Sequence, residues 1–190
     1  MKKKFSCVQG CSDCCIFREY YPSVEYGKIG VLVLPEEKAA IECLAKNLGI
    51  RIRIIPRLAV GKKSPERIIA YQMMGKNDDG DLCPFLEVES KERSPHGGFK
   101  CKIYSERPLA CKAYPVINVF NNKARFDPHC QFCKKFSTSK ASSEGLQQEV
   151  EALAKIRASV TADDDISIWR YATATGKSND LLPEGWILER

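Results

Sequence analysis

The chain has 190 residues, 44% of them hydrophobic, with a net charge of +6. That suits one packed domain, or one domain with an appendage, whose core is large enough that metal need not supply all of its stability. No window approaches the roughly 18–20 apolar residues of a membrane span. No long block of like charges and no aromatic–basic alternation marks a nucleic-acid platform.

Residues 1–20 read as a cysteine-rich loop in which Gly10, Ser12 and Asp13 supply turn chemistry. The start, MKKKFSC, is basic but has no apolar run behind it, so no secretory leader is expected and the location should be cytoplasmic. After the short apolar run Val31–Leu34, the stretch PEEKAAIECLAKNLG predicts a helix. Pro35 suits its first turn, Glu36 and Glu37 its positive end and Gly49 its C-terminal cap. Glu37, Ile41, Leu44, Ala45 and Leu48 share its mostly apolar face, and Cys43 lies away from that face.

Residues 50–55 (IRIRII) alternate as a strand that should stop at Pro56, and residues 67–74 (RIIAYQMM) predict a second strand. NDDG (77–80) predicts a turn into DLCPFLE, and SPHGG (94–98) a turn into FKCKIY. INVFNNKARF (117–126) predicts a hairpin around Asn121 and Asn122. STSKASS (137–143) looks like a polar linker. Beyond it, Leu146, Val150, Leu153 and Ala154 stripe an amphipathic helix over residues 144–160, and a second helical stretch is expected around Ile166 to Ala172.

The expected fold is α+β: a small metal-stabilised domain of short strands and hairpins, with one helix in its N-terminal half and a C-terminal helical extension. The boundaries are residues 1–136 for a cysteine-cluster domain and 144–190 for an extension packed on it. Residues 137–190 hold six basic and nine acidic side chains, which leaves +9 on residues 1–136. That basic excess can offset thiolates around a metal, and it allows an acidic protein partner.

The chemistry lies in the cysteines. Nine of the ten are gathered: Cys7, Cys11, Cys14 and Cys15 near the start, Cys83 alone, Cys101 with Cys111, and Cys130 with Cys133. Thiols at short separations converge on one point across a tight turn, which suits zinc or an iron–sulfur cluster. A disulfide framework needs an oxidising compartment, for which nothing here speaks. Neighbouring side chains of an extended segment point apart, so Cys14 and Cys15 should not share one ion: either they face two different metals, or one ligates and one packs. Nine thiols could fill two four-thiolate sites or one site with spares, and zinc and iron–sulfur stay unseparated. Of the two histidines, His129 precedes Cys130 and could join a mixed zinc site, whereas His96 sits in a glycine-rich turn.

No nucleophile elbow, phosphate loop, dinucleotide fingerprint or zinc-protease motif appears. Cys7, Cys11 and Cys14 have the spacing of radical S-adenosylmethionine enzymes, but Asp13 replaces the expected aromatic and no βα alternation follows. Asp163, Asp164 and Asp165 resemble a helix start more than a magnesium site.

Three blocks carry a resemblance. Phe5 with Cys14 and Cys15, then Cys83, Phe85 and Leu86, then Cys101, Ile103, Tyr104, Arg107, Pro108, Cys111 and Pro115, are similar to the cysteine-cluster proteins of the YkgJ family. The first block departs from the family's pattern, with three residues between Cys7 and Cys11 and Ser12 in place of the usual glycine. The resemblance implies metal or cluster binding over about residues 5–133, in a structural, carrier or redox role. A flagellin lysine N-methylase resembles the same family, so protein modification is the alternative it implies. Arg107 is expected beside the centre, donating to metal-bound sulfurs or to Glu106, and Tyr104 and Tyr114 as walls of the site.

Overall fold

The computed structural model describes residue 5 and residues 7–16, 30–76, 82–121, 123–137, 140–142, 144–160, 166–172 and 185–189. The expected turn at 77–80, Asn122 and the aspartates 163–165 lie outside the described residues. The fold is mixed α and β, as the sequence predicts. Among the described residues no helix is long and apolar enough to cross a membrane.

Among the described residues, three helices and five strands come first in the chain. They are α1 (Asp13–Ile16), β1 (Val31–Val33), α2 (Pro35–Asn47), β2 (Ile54–Val60), β3 (Arg67–Met73), β4 (Leu86–Glu87), β5 (Lys100–Cys101) and α3 (Leu109–Ala113). Then follow the strands β6 (Val116–Phe120) and β7 (Lys123–Phe126), the helix α4 (Gln131–Phe136), β8 (Lys140–Ser142), α5 (Gln147–Val160), β9 (Ile168–Ala172) and β10 (Gly185–Leu188). One antiparallel sheet has the order β1-β3-β2-β9-β10, a second has β6-β7-β8, and β4 pairs with β5 as a short ribbon.

The helix α2 starts where the sequence predicts. Glu37 accepts the Leu34 N–H at 2.9 Å and so satisfies a donor that every helix N-terminus leaves open. Ile41 and Ala45 are buried against the sheet, Leu44 is half-buried and Leu48 is exposed. Cys43 is exposed, as its position off the apolar face requires.

Four expectations need correction. The strand at 50–55 is in fact β2, which begins at Ile54 and runs through Pro56. Register shifts flank Leu58, and pairing with β9 begins only at Leu58, so Pro56 falls where no ladder needs its missing N–H. The helix around 166–172 is the strand β9, which fills the sheet between β2 and β10. Its aromatic and β-branched residues suit a pleated surface, and Trp169 Nε1 donates to the Gly61 carbonyl at 3.0 Å. The polar linker contains β8, whose backbone pairs with Lys123 to Arg125 of β7. In the helix over 144–160, Leu146 and Ala152 are buried and Ala154 is exposed, so Ala152 takes the place expected for Ala154.

Two hydrophobic cores result. The first holds Val33, Ile41, Met73, Phe85, Leu86 and Ile103. The second holds Val116, Phe126, Phe132 and Leu146, with Phe5, Val150 and Leu153 packed on it. Phe126 and Phe132 meet edge to face at 5.7 Å, a favoured aromatic geometry. Cysteines belong to both cores, and this decides where the candidate site lies.

Candidate metal centre

The N-terminal cysteine loop runs from one core to the other: Phe5 packs on the second, Cys15 and Ile16 on the first. Hydrogen bonds fix it at both ends. The Cys83 N–H donates to the Cys15 carbonyl at 2.6 Å and the Leu82 N–H to Ile16 at 3.0 Å. Gln131, the first residue of α4, donates to the Asp13 carboxylate.

The SPHGG turn closes over the middle of the loop. Gly10 N–H donates to the Gly97 carbonyl at 2.9 Å, and buried Ser12 Oγ accepts the Phe99 N–H at 2.8 Å. Ser94 Oγ donates to the Phe99 carbonyl and accepts the Cys101 N–H, each at 2.8 Å. A Cβ on Gly98 would collide with the Cys11 carbonyl, His96 Nε2 and Ser12 Oγ, so only glycine permits this approach.

One thiol neighbourhood forms at the first core. Buried Cys83 has Cys15 and Cys101 packed around it. Burial pushes the Cys101 thiol up to about 11, and Cys83 and Cys15 add to that, while the Ile103 N–H and the Arg107 guanidinium act in the opposite direction. Cys14 stands beside this group with its sulfur 3.9 Å from that of Cys15. This corrects the expectation that the two face apart. They lie in the helical turn α1, where successive side chains diverge by much less than on a strand.

The other neighbourhood forms at the second core. Cys130 is the N-cap residue of α4, and the Phe132 and Cys133 N–H groups and the Tyr114 hydroxyl near its sulfur act to lower its pKa. Burial nevertheless raises its pKa. Burial pushes Cys133 up to about 11, with the Cys130 thiol and the buried Asp127 carboxylate adding to it. Cys7 is also pushed up to about 11, by burial first and then by Cys11, Cys130 and Cys15. Cys11 is raised by burial, against the Asp13 N–H that points at its sulfur. Thus Cys7 lies in the electrostatic field of thiols from both neighbourhoods. Cys111 is half-buried on α3, whose first N–H, that of Leu109, is held by Glu37 Oε1 at 2.7 Å.

His129 is fixed at the rim of the second group: its backbone N–H and its Nδ1 both meet Asp127 Oδ1, at 2.8 and 3.0 Å. At the first group, the Arg107 guanidinium lies 4.0 Å over the Tyr104 ring, and His96 stacks with the same ring at 5.5 Å. Burial, then the Arg107 charge, lowers the pKa of His96, so its ring is neutral.

A metal or cluster is tested by the donors themselves. Among the described residues no three Cys, His, Asp or Glu side chains form a ready ion-holding group as they stand. The chemistry of the donor set nonetheless fits a soft cation. Buried thiols that raise one another's pKa lose that penalty when a cation replaces their protons. Backbone N–H groups lie near the sulfurs of Cys7, Cys11 and Cys101 and favour thiolate over thiol.

A family model matches residues 6–134, the CxxCxxCC family, described as "Putative zinc- or iron-chelating domain". The chain belongs to that family. The CxxCxxCC match covers both thiol neighbourhoods and the SPHGG turn between them, and it agrees with the resemblance seen in the three sequence blocks. None of the curated proteins and none of the solved structures compared matches the chain. The family's description leaves zinc and iron unseparated, as the sequence does.

Sequence reasoning missed several supporting residues. Ser12, Ser94, Asp127 and Glu37 each hold a backbone N–H near a cysteine, and His96 was read as an ordinary turn residue. The Gly97-Gly98 pair was the available signal for the last, since adjacent glycines in a turn mark close backbone approach.

Proposed function

We propose that this protein holds zinc or an iron–sulfur cluster through cysteine thiolates in the cytoplasm, in a structural, carrier or redox role. The observation that carries the reading is the gathering of cysteines at the two cores, Cys15, Cys83 and Cys101 at the first and Cys130 and Cys133 at the second, with backbone N–H groups near the half-buried sulfurs of Cys7, Cys11 and Cys101. Candidate ligands are Cys14, Cys15, Cys83, Cys101 and Cys111 near the first core, and Cys7, Cys11, Cys130 and Cys133 toward the second. Arg107 offsets thiolate charge there, and Tyr104 shields the guanidinium from water. Residues 1–136 carry the centre and residues 144–190 pack on it.

Purification without air, followed by metal analysis and a visible spectrum, tests this. Brown protein with iron and sulfide means a cluster, and colourless protein with stoichiometric zinc means zinc. Protein that is folded, colourless and metal-free, with every thiol open to alkylation, overturns the reading. Cys101→Ser should lose metal and folded protein together, because ligands from distant segments couple binding to folding.

A further inference from the structure

Among the described residues, two buried nitrogens have no hydrogen-bond partner: His96 Nδ1 and Arg107 Nε. Buried donors are nearly always satisfied in a native fold, and an exception calls for a ligand, a water or a functional role. Both residues pack on one ring. The Arg107 guanidinium lies 4.0 Å over the Tyr104 centroid, and the His96 ring runs nearly parallel to Tyr104, tilted by 10° at 5.5 Å. Stacking covers a face of the guanidinium and leaves its N–H groups to bond in the plane, where they can take two oxygens of one group. The other end of His96 is packed: Nε2 crowds the space beside Gly98 together with Ser12 Oγ and the Cys11 carbonyl. The imidazole is therefore held, and its unpartnered nitrogen is Nδ1.

We propose that His96, Tyr104 and Arg107 form a binding site for the oxyanion of a small molecule, a carboxylate or a phosphate group, beside the Cys101 thiol. Arginine carries donors only, so its partner must be an acceptor. Arg107 Nε–H and an Nδ1–H on His96 supply the donors, and Tyr104 holds the guanidinium in place. The site stands whichever metal the thiols hold, and whether or not they hold one.

Histidine ring resonances of the full-length protein as purified, labelled with nitrogen-15, test this directly. The chain has two histidines, so His129 serves as an internal control, assigned with the His129→Gln variant. Sodium acetate and sodium phosphate are titrated separately against sodium chloride at matched ionic strength. The His96 signals should move saturably with at least one oxyanion and not with chloride. A response to acetate alone identifies a carboxylate ligand, and a tighter response to phosphate identifies a phosphate ligand. Arg107→Lys keeps the charge and loses the fork, and should weaken binding by about tenfold or more. Metal content measured on the same samples separates this result from any effect on the thiols. His96 signals indifferent to both oxyanions, or equal affinity in Arg107→Lys, overturn the proposal.

Discussion

Glu37 ties a surface helix to the cysteine segment. One carboxylate oxygen accepts the Leu34 N–H at the start of α2, and the other accepts the Leu109 N–H at the start of α3, which carries Cys111. Hydrogen bonds to a charged group are worth about 1.5–3 kcal/mol each. Glu37→Ala should therefore lower the stability by about 3–6 kcal/mol, and Glu37→Gln, which keeps one acceptor, by less. Denaturant midpoints of the two variants check the order. Cys43 makes the opposite case. It is exposed and lies outside both thiol groups, with Asn47 as its side-chain neighbour at 3.7 Å. Cys43→Ala should leave metal content unchanged and stability within about 0.5 kcal/mol; loss of metal would place the thiol in the centre. The role of Cys43 was legible in the sequence because helix periodicity is local. The second bond of Glu37 was not, because its partner stands 72 residues away.

At the scale of elements, α5 shows how a right reading can have a wrong edge. The apolar stripe was legible, and Leu146, Val150 and Leu153 do pack on the second core. Ala152 replaces Ala154 in the buried face. Leu146→Ala should cost about 2–4 kcal/mol, read from a thermal or denaturant transition. A chain ending near Lys140 should fare worse than a missing helix would suggest. It also removes β9, the partner of β2 at Leu58 to Val60, and leaves an inner strand as a bare edge. Aggregation of that truncation, measured by light scattering, is the expected outcome; a monodisperse product would mean that the first core closes without β9. The sequence misplaces the strand at Ile168–Ala172 because five residues are too few to separate the two periods, and only the neighbours β2 and β10 decide it.

Over the whole molecule, the thiols set a pH dependence whose sign depends on the metal. The cysteine grouping was legible from spacing and resemblance, but its division between two cores was not, since it follows from long-range contacts of Phe5, Cys15 and Cys130. That division explains why Cys7, Cys101 and Cys133 are each pushed up to about 11, with burial the first cause at all three. In metal-free protein the unfolded thiols, at their ordinary value of 9.0, release protons before the folded ones do. The folded state then binds more protons than the unfolded state, so its stability is full below pH 9.0 and falls as pH rises toward about 11. Metal reverses this. Ligating thiols must shed protons that the fold holds tightly, so metal binding releases protons and its apparent affinity rises across the same range. Denaturant midpoints of metal-free protein should fall from pH 9 to pH 10.5, and chelator competition should show tighter binding over that interval. Parallel slopes in the two measurements would mean that the raised thiols are not the ligands.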